Sequence, residues 1–261
     1  MSIVIIFPSD YFKPNKPDEM FNEQAQAFAA AGFECKYINL DNLPMITKLP
    51  TDLSGKQVIY RGWMLDAESY AKLSQVIESS NGTMFTPIDK YLLAHYLPNW
   101  YHLIKDYTAE TVVLDGAGDL KQQLLALGWG QYFIKDYVKS LKTSIGPIIK
   151  SVDQIDTVIA EMYKFRGTIE GRICVRRVEN YMPDTEQRFF IINGKVYSPV
   201  DQPIPEVVQR CSENIDHKFY SLDLIKTKDG KDMVVEIGDG QVSDYVGWNP
   251  DRFVDAISKI L

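Results

Sequence analysis

Residues 234–245 read VVEIGDGQVSDY, an apolar run that ends abruptly in Glu236, Asp239 and Asp244 with Gly238 and Gly240 between them. Just upstream, Asp229-Gly230 is a strong two-residue turn signal, so FYSLDLIK and DMVVEIGD read as an antiparallel hairpin. With those two residues as the loop, Leu222 faces Ile237 and Leu224 faces Val235, with Met233 on the same side. That face is wholly apolar and supports the register. The reverse face then sets Asp223 directly opposite Glu236. Two carboxylates across a sheet have Cβ atoms roughly 5 Å apart and repel unless something neutralises them. Mg²⁺ shared with phosphate oxygens would do so, as would protonation of one acid or a nearby lysine.

The preceding hairpin, RFFIINGKVYSPVD, turns at Asn193-Gly194. Its register places Phe189, Ile191, Val196 and Val200 on one face and Glu186, Arg188, Tyr197 and Asp201 on the other. The second face presents an acid and an arginine either to a cleft or to solvent as a salt-bridged surface.

In QYFIKDYVKSLKTSIGP, Lys135 falls inside an apolar and aromatic strand, where a free ammonium is costly to bury without an anion. Lys139, Lys142 and Gly146 follow in a loop. A strand lysine reaching the phosphates beneath a closing loop makes a nucleotide clamp, and a lysine snorkelling at a sheet edge is the alternative. Arg176 shares strand phase with Arg172 and Cys174, and Val178 and Glu179 of the following RVENY read as a connector that lines an adenine pocket with backbone groups. Residues 135–177 hold nine Lys/Arg against five acids in a chain of net charge −7. A basic island in an acidic chain suits a compact polyphosphate, and a solvated basic face has the same composition. The P-loop, the dinucleotide fingerprint and the kinase catalytic loop are absent, so phosphate binding must rest on another scaffold.

The first hundred residues alternate differently. SIVIIF, ECKYINL, QVIYRG and TMF read as strands, with helices over 18–31 and 67–77, the first stopped by Gly32. This is a small parallel sheet with helices on its faces. An aromatic helical stretch over 87–107, broken at Pro98, closes it. The expected organisation is an α/β domain over 1–105 and an α+β domain over 106–261, the latter with lobes at 106–170 and 171–261. Arg61 ends a strand of the parallel sheet, where crevices open, and is a candidate ligand for a substrate carboxylate or a member of a structural ion pair.

Composition narrows the function. A chain of 261 residues, 45% hydrophobic and 24% charged, is of ordinary globular type. Its negative charge disfavours a general nucleic-acid binder. Cys35, Cys174 and Cys211 are odd in number and lack metal spacing, which points to reduced thiols in the cytoplasm. The N-terminal apolar run is too short for a signal-peptide core or a membrane span.

Taken in order, YFIKDYVKS, VRRVENY, EQRFFIINGKV, YSLDLI and VVEIGDGQVSDY resemble the ATP-grasp superfamily. They look closest to a divergent bacterial and phage clade related to the eukaryotic translation-initiation-factor assembly proteins. The resemblance covers roughly 106–261, and VIYRGWML is similar to that clade's preceding domain. It implies an ATP-grasp fold, two α+β lobes gripping ATP behind an N-terminal α/β domain, and an ADP-forming ligase that activates a carboxylate as an acylphosphate for attack by an amine, in a small molecule, peptide or protein. By position, Lys135 matches the phosphate-binding lysine, Arg176 the arginine of an LRK-like strand, and Glu186 and Arg188 an E-x-R element. Asp223 and Glu236 match the Mg²⁺ carboxylates. Gly238 stands where the family carries Asn, which leaves Asp239 as a substitute ligand or the metal with fewer protein ligands. An assembly factor that binds ATP without ligation and a small-molecule phosphotransferase are the alternatives on the same scaffold.

Overall fold

The computed structural model describes residues 2–259. Two compact units are built from interleaved segments. One contains the chain up to Ala94, Gln187–Asp223 and everything from Gly238; the other contains His95–Glu186 and Leu224–Ile237. The units therefore do not follow the consecutive 1–105 and 106–261 partition. The physical reason lies in the first unit's core, where Phe190, Ile192, Phe219 and Phe253 are buried in one cluster with Ile5, Phe7 and Phe28.

In this first unit, β1 (Ser2–Pro8), β2 (Glu34–Ile38), β3 (Lys56–Tyr60) and β4 (Thr83–Met84) form the expected parallel sheet, in the order β2-β1-β3-β4. Both faces of β1 are covered, which is why its sequence is continuously apolar rather than alternating. Ile3, Ile5 and Phe7 pack with Phe28 of α1 (Asn22–Ala30), while Val4 and Ile6 pack with Tyr70 and Val76 of α2 (Ala67–Ser79). Asp66 caps α2 by accepting from Ser69 N. The helical stretch after β4 divides into α3 (Ile88–His95) and α4 (Leu97–Tyr101), so the break falls at Tyr96. Pro98 instead occupies the first turn of α4, where its missing N–H costs nothing.

In the second unit, β5 (Thr111–Val113), β6 (Tyr132–Lys135), β7 (Ile148–Ile149) and β8 (Cys174–Arg177) form an antiparallel sheet ordered β5-β8-β6-β7. Leu124 of α5 (Leu120–Leu127) and Ile155, Val158 and Met162 of α6 (Ile155–Arg166) are buried with Ile134 and Val175 of the sheet.

The remaining strands are β9 (Gln187–Ile192), β10 (Lys195–Tyr197), β11 (Phe219–Lys226) and β12 (Asp232–Asp239), ordered β10-β9-β11-β12, with α7 (Glu206–Asn214) and α8 (Pro250–Ser258). The β9–β10 register is the expected one: Ile191 pairs with Val196, and the turn residues Asn193 and Gly194 have φ of 49° and 76°. Its second face is not simply polar, because Phe190 and Ile192 are buried there.

The β11–β12 turn differs from expectation. Thr227 N donates to Lys231 O and Gly230 N to Thr227 O, so the loop has three residues, 228–230, with Gly230 left-handed at φ 84°. At the far end Gly240 N donates to Phe219 O, as the two-residue loop required. Between these bonds β12 holds one more residue than β11, the signature of a bulge. A one-residue slip exchanges faces, so the turn does not dictate a direct Asp223–Glu236 opposition.

Candidate functional site

The second unit gathers charge at the ends of β6 and β8. Lys135 pairs with Cys174 in the ladder, and Arg176 lies two residues further along β8. Both cations are buried, at 9% and 8% exposure. Lys135 Nζ donates to Tyr137 O at 3.3 Å. Burial draws its pKa below the ordinary lysine range, opposed chiefly by the Glu236 carboxylate, while the Arg176 charge lowers it further. Arg176 Nη1 donates to Val235 O at 2.6 Å, and Nη2 to Thr108 Oγ1. Thr108 Oγ1 in turn donates to Val234 O at 2.7 Å. These bonds hold the β12 backbone on either side of Val235, next to Glu236, whose exposed carboxylate acts on both cations. The Arg176 Nε–H is buried without an acceptor. Two buried cations, one carboxylate at the surface and an unused donor make a region with capacity for a further anion.

The strand stops at Lys135 instead of continuing to Val138, because Asp136 turns the chain. Its Oδ1 accepts from Val138 N at 2.8 Å and Lys139 N at 2.6 Å, and its Oδ2 accepts from Glu170 N at 3.1 Å. Arg166 Nη2 lies 2.8 Å from Oδ2 and supplies the counter-charge. Asp136 escaped the sequence reading, although an Asp that begins a loop is a recognisable turn signal. Lys139 and Lys142 are exposed in the segment that follows. After β8, Glu179 accepts from Arg177 Nε at 2.9 Å, and its carbonyl accepts from Tyr181 N at 3.0 Å.

The first unit joins Arg188 to Asp223. Arg188 Nε and Nη2 donate to the two carboxylate oxygens at 2.7 and 2.6 Å, and Nη1 donates to Asp244 O at 3.0 Å. Asp223 is 3% exposed. Trp248 Nε1 donates to Arg188 O at 2.8 Å, which fixes the backbone beneath the fork. Glu186 lies exposed just before β9.

Arg61 and Asp239 have partners other than those expected of them. Arg61 is 2% exposed and lies over the Phe253 ring at 4.7 Å. Its Nε donates to Gln24 Oε1 at 3.1 Å, Nη2 to Ser243 O at 3.0 Å, and Nη1 to Gly240 O. A guanidinium so enclosed is not available to a substrate carboxylate. Asp239 is fully buried; its Oδ1 accepts from Gln241 N at 3.0 Å and Gln241 Nε2 at 3.2 Å. Its Oδ2 lies 3.2 Å from His217 Nε2, outside hydrogen-bond alignment. The Asp239 carboxylate thus anchors the loop after β12 instead of facing a metal. The flanking glycines have packing reasons as well: a Cβ on Gly240 would lie 2.4 Å from the Phe219 ring, and one on Gly238 would meet the Ser221 and Ser243 hydroxyls at 3.0 Å. Gln24, His217 and Gln241, which complete this network, carried no sequence signal.

Among the described residues no group of three or more His, Cys, Asp or Glu is disposed to hold a metal ion, and no helix is long and apolar enough to cross a membrane. Cys35, Cys174 and Cys211 are free thiols.

A family model describing an ATP-grasp domain, the third family of its clade, matches residues 126–257. Comparison with curated proteins by sequence finds no match. Among solved structures, the chain is similar to the macrocyclase MdnC bound with precursor peptide MdnA, from Microcystis aeruginosa MRC, at 14% identity and a TM-score of 0.66, over 100% of this chain and 99% of that one. It is similar to the D-cycloserine synthetase DcsG at 12% identity and a TM-score of 0.65, covering 99% of each chain. It is also similar to the ATP-grasp ligase PsnB complexed with minimal precursor, Mg and ADP, at 12% identity and a TM-score of 0.64, over 99% of this chain and 96% of that one. At these identities the likeness speaks for the fold.

Proposed function

Because the chain belongs to this ATP-grasp family, we propose that it is an ATP- and Mg²⁺-dependent ligase that joins a carboxylate to an amine, with a peptide as substrate class. The observation that carries this reading is the pair of buried cations, Lys135 and Arg176, with the unused Arg176 Nε–H and the Glu236 carboxylate beside them. Such a group is costly to maintain in a protein interior, and a phosphate oxygen relieves that cost. The peptide substrate is supported by MdnC and PsnB, whose structures hold precursor peptides.

On this reading Lys135 and Arg176 take phosphate oxygens of ATP, exposed Lys139 and Lys142 add to the phosphate-binding charge, and the backbone at Val178 and Glu179 serves the adenine. Glu236 and Asp223 are the carboxylates offered to Mg²⁺, which suits an ion that binds through one or two carboxylates plus phosphates. The Asp223 oxygens keep lone pairs beyond those used by Arg188. Bound Mg²⁺ would neutralise charge on the departing phosphates. Arg188, held at a fixed angle by Asp223 and Asp244 O, stabilises negative charge that develops as the reaction proceeds, and Glu186 completes the E-x-R element. A substrate carboxylate oxygen bonds to the γ-phosphorus as ADP leaves. The amine nitrogen then bonds to the acyl carbon, phosphate leaves, and the amine proton passes to solvent.

Calorimetric titration of ATP with and without Mg²⁺ tests the reading, using the wild type, Lys135→Ala and Glu236→Ala. The expected result is Mg²⁺-strengthened binding that weakens in both variants. A wild type without nucleotide affinity would overturn the reading, and undiminished Mg²⁺ dependence in Glu236→Ala would remove that residue from the metal. ADP release that depends on a peptide carboxylate separates ligation from binding alone.

A further inference from the structure

We infer that Arg61 is a positioning residue for Arg188, acting through the loop from Asp239 to Asp244. Its importance for catalysis rests on the ligase reading above; the mechanical coupling does not. Arg61 ends β3, and three of its nitrogens are committed to Gln24, Gly240 O and Ser243 O. Two of those acceptors are carbonyls of the loop that continues directly to Asp244, whose own carbonyl takes Arg188 Nη1 at 3.0 Å.

The loop is tied at further points. Gln241 Oε1 accepts from Tyr60 N at 3.0 Å, and Gln241 Nε2 donates to Tyr70 OH at 2.6 Å. Ser243 Oγ donates to Asp239 O at 2.8 Å and sits 2.7 Å from Ser221 Oγ, two residues before Asp223 on β11. The loop is thereby fixed to the parallel sheet on one side and to β11 on the other. Asp244 O is the single loop atom that Arg188 grips, and its position follows from the carbonyls on which Arg61 closes. Fork geometry requires that Arg188 be held in plane with Asp223, so a loop displaced by a fraction of an ångström changes both bonds. Lysine at position 61 keeps the charge and loses the fork, so it can serve one carbonyl but cannot hold two in fixed register.

The test uses the full chain with Arg61→Lys. Solvent exchange of the Arg188 Nε–H, followed by nitrogen-resolved NMR, is expected to accelerate about tenfold or more as its bond to Asp223 opens more often. The Arg252 Nε–H, which donates to Ser198 O in the same unit, serves as the internal reference and is expected to be unchanged. Gln24→Met, which removes only the Nε acceptor, should give a smaller acceleration and covers the case in which Arg61→Lys fails to fold. A folded variant with unaltered Arg188 exchange, or with equal acceleration at Arg252, overturns the inference. In a second arm, Mg²⁺-ATP affinity is measured for Arg61→Lys, Arg188→Lys and the double variant. Positioning predicts that Arg61→Lys weakens binding in the wild type and adds little once Arg188 is already changed, whereas additive losses overturn it. If the wild type binds no nucleotide, the ligase reading fails while the exchange arm still decides the role of Arg61.

Discussion

Arg61 and Arg176 are both almost completely buried guanidinium groups, and they differ in what surrounds them. Arg61 has an acceptor for each kind of nitrogen it carries, an aromatic ring beneath it, and the buried Asp239 among the charges that favour its protonated form. Arg176 has two acceptors, a buried Nε–H without one, and a second buried cation, Lys135, close enough to matter. The first arrangement is complete without a ligand. The second is under-satisfied in a protein otherwise able to pair its charges, and such incompleteness, more than charge itself, marks a place for a bound anion.

The largest effect that would break this contrast is on stability. Arg61→Ala strips acceptors from a buried network and leaves Asp239 without its counter-charge, and is expected to cost about 3–5 kcal/mol in denaturant unfolding. Arg176→Ala loses hydrogen bonds yet relieves repulsion with Lys135, with an expected cost of about 1–3 kcal/mol. Equal losses would show that the two sites are not different in kind.

Next comes the converse measurement. Lys135→Met removes a buried cation while keeping its length, so stability should stay within about 1 kcal/mol of the wild type. Nucleotide affinity should fall about tenfold to a hundredfold, the worth of a hydrogen bond to a charged group. Retained affinity would count against the phosphate role.

A third comparison concerns packing. Gly240→Ala places a methyl group against the Phe219 ring and is expected to destabilise by about 1–3 kcal/mol, with urea midpoints as the readout. A neutral outcome would mean that the loop after β12 yields easily, which would weaken the coupling from Arg61 to Arg188.

The smallest effect is on pH dependence. Lys135 has a folded pKa below the ordinary lysine value, so between the two the unfolded chain carries a proton that the folded chain lacks. Stability therefore rises with pH across that window, and the full cost of the buried charge is present below it. In Lys135→Met this alkaline rise should be missing from a series of urea midpoints.

Much of this was legible because it depends on local pattern. Asn193-Gly194 determined the β9–β10 register, the continuous apolar run of β1 announced a strand covered on both sides, and Lys135 stood out against its aromatic neighbours. What was not legible depends on distant residues. A two-residue loop at Asp229-Gly230 was the natural reading, and the extra residue in β12 appears only when both ends of the hairpin are seen bonded. Carboxylates after a strand look alike in sequence, but Asp239 turns inward to Gln241 while Glu236 reaches the surface. Arg61 at a strand end suggested a ligand-binding crevice because nothing near it in sequence supplies the carbonyls that enclose it.

That separation bears on how the protein is made. Arg61 is synthesised 179 residues before the Gly240 carbonyl it serves, and Tyr60 181 residues before Gln241. On the ribosome the parallel sheet emerges with a naked guanidinium at its edge, and water must solvate that group until the last strand and helix arrive. The first unit is thus a structure whose opening sheet is written early and whose closing clasp is written last, and a truncated chain ending before Gly240 would retain the hand without the object it was shaped to hold.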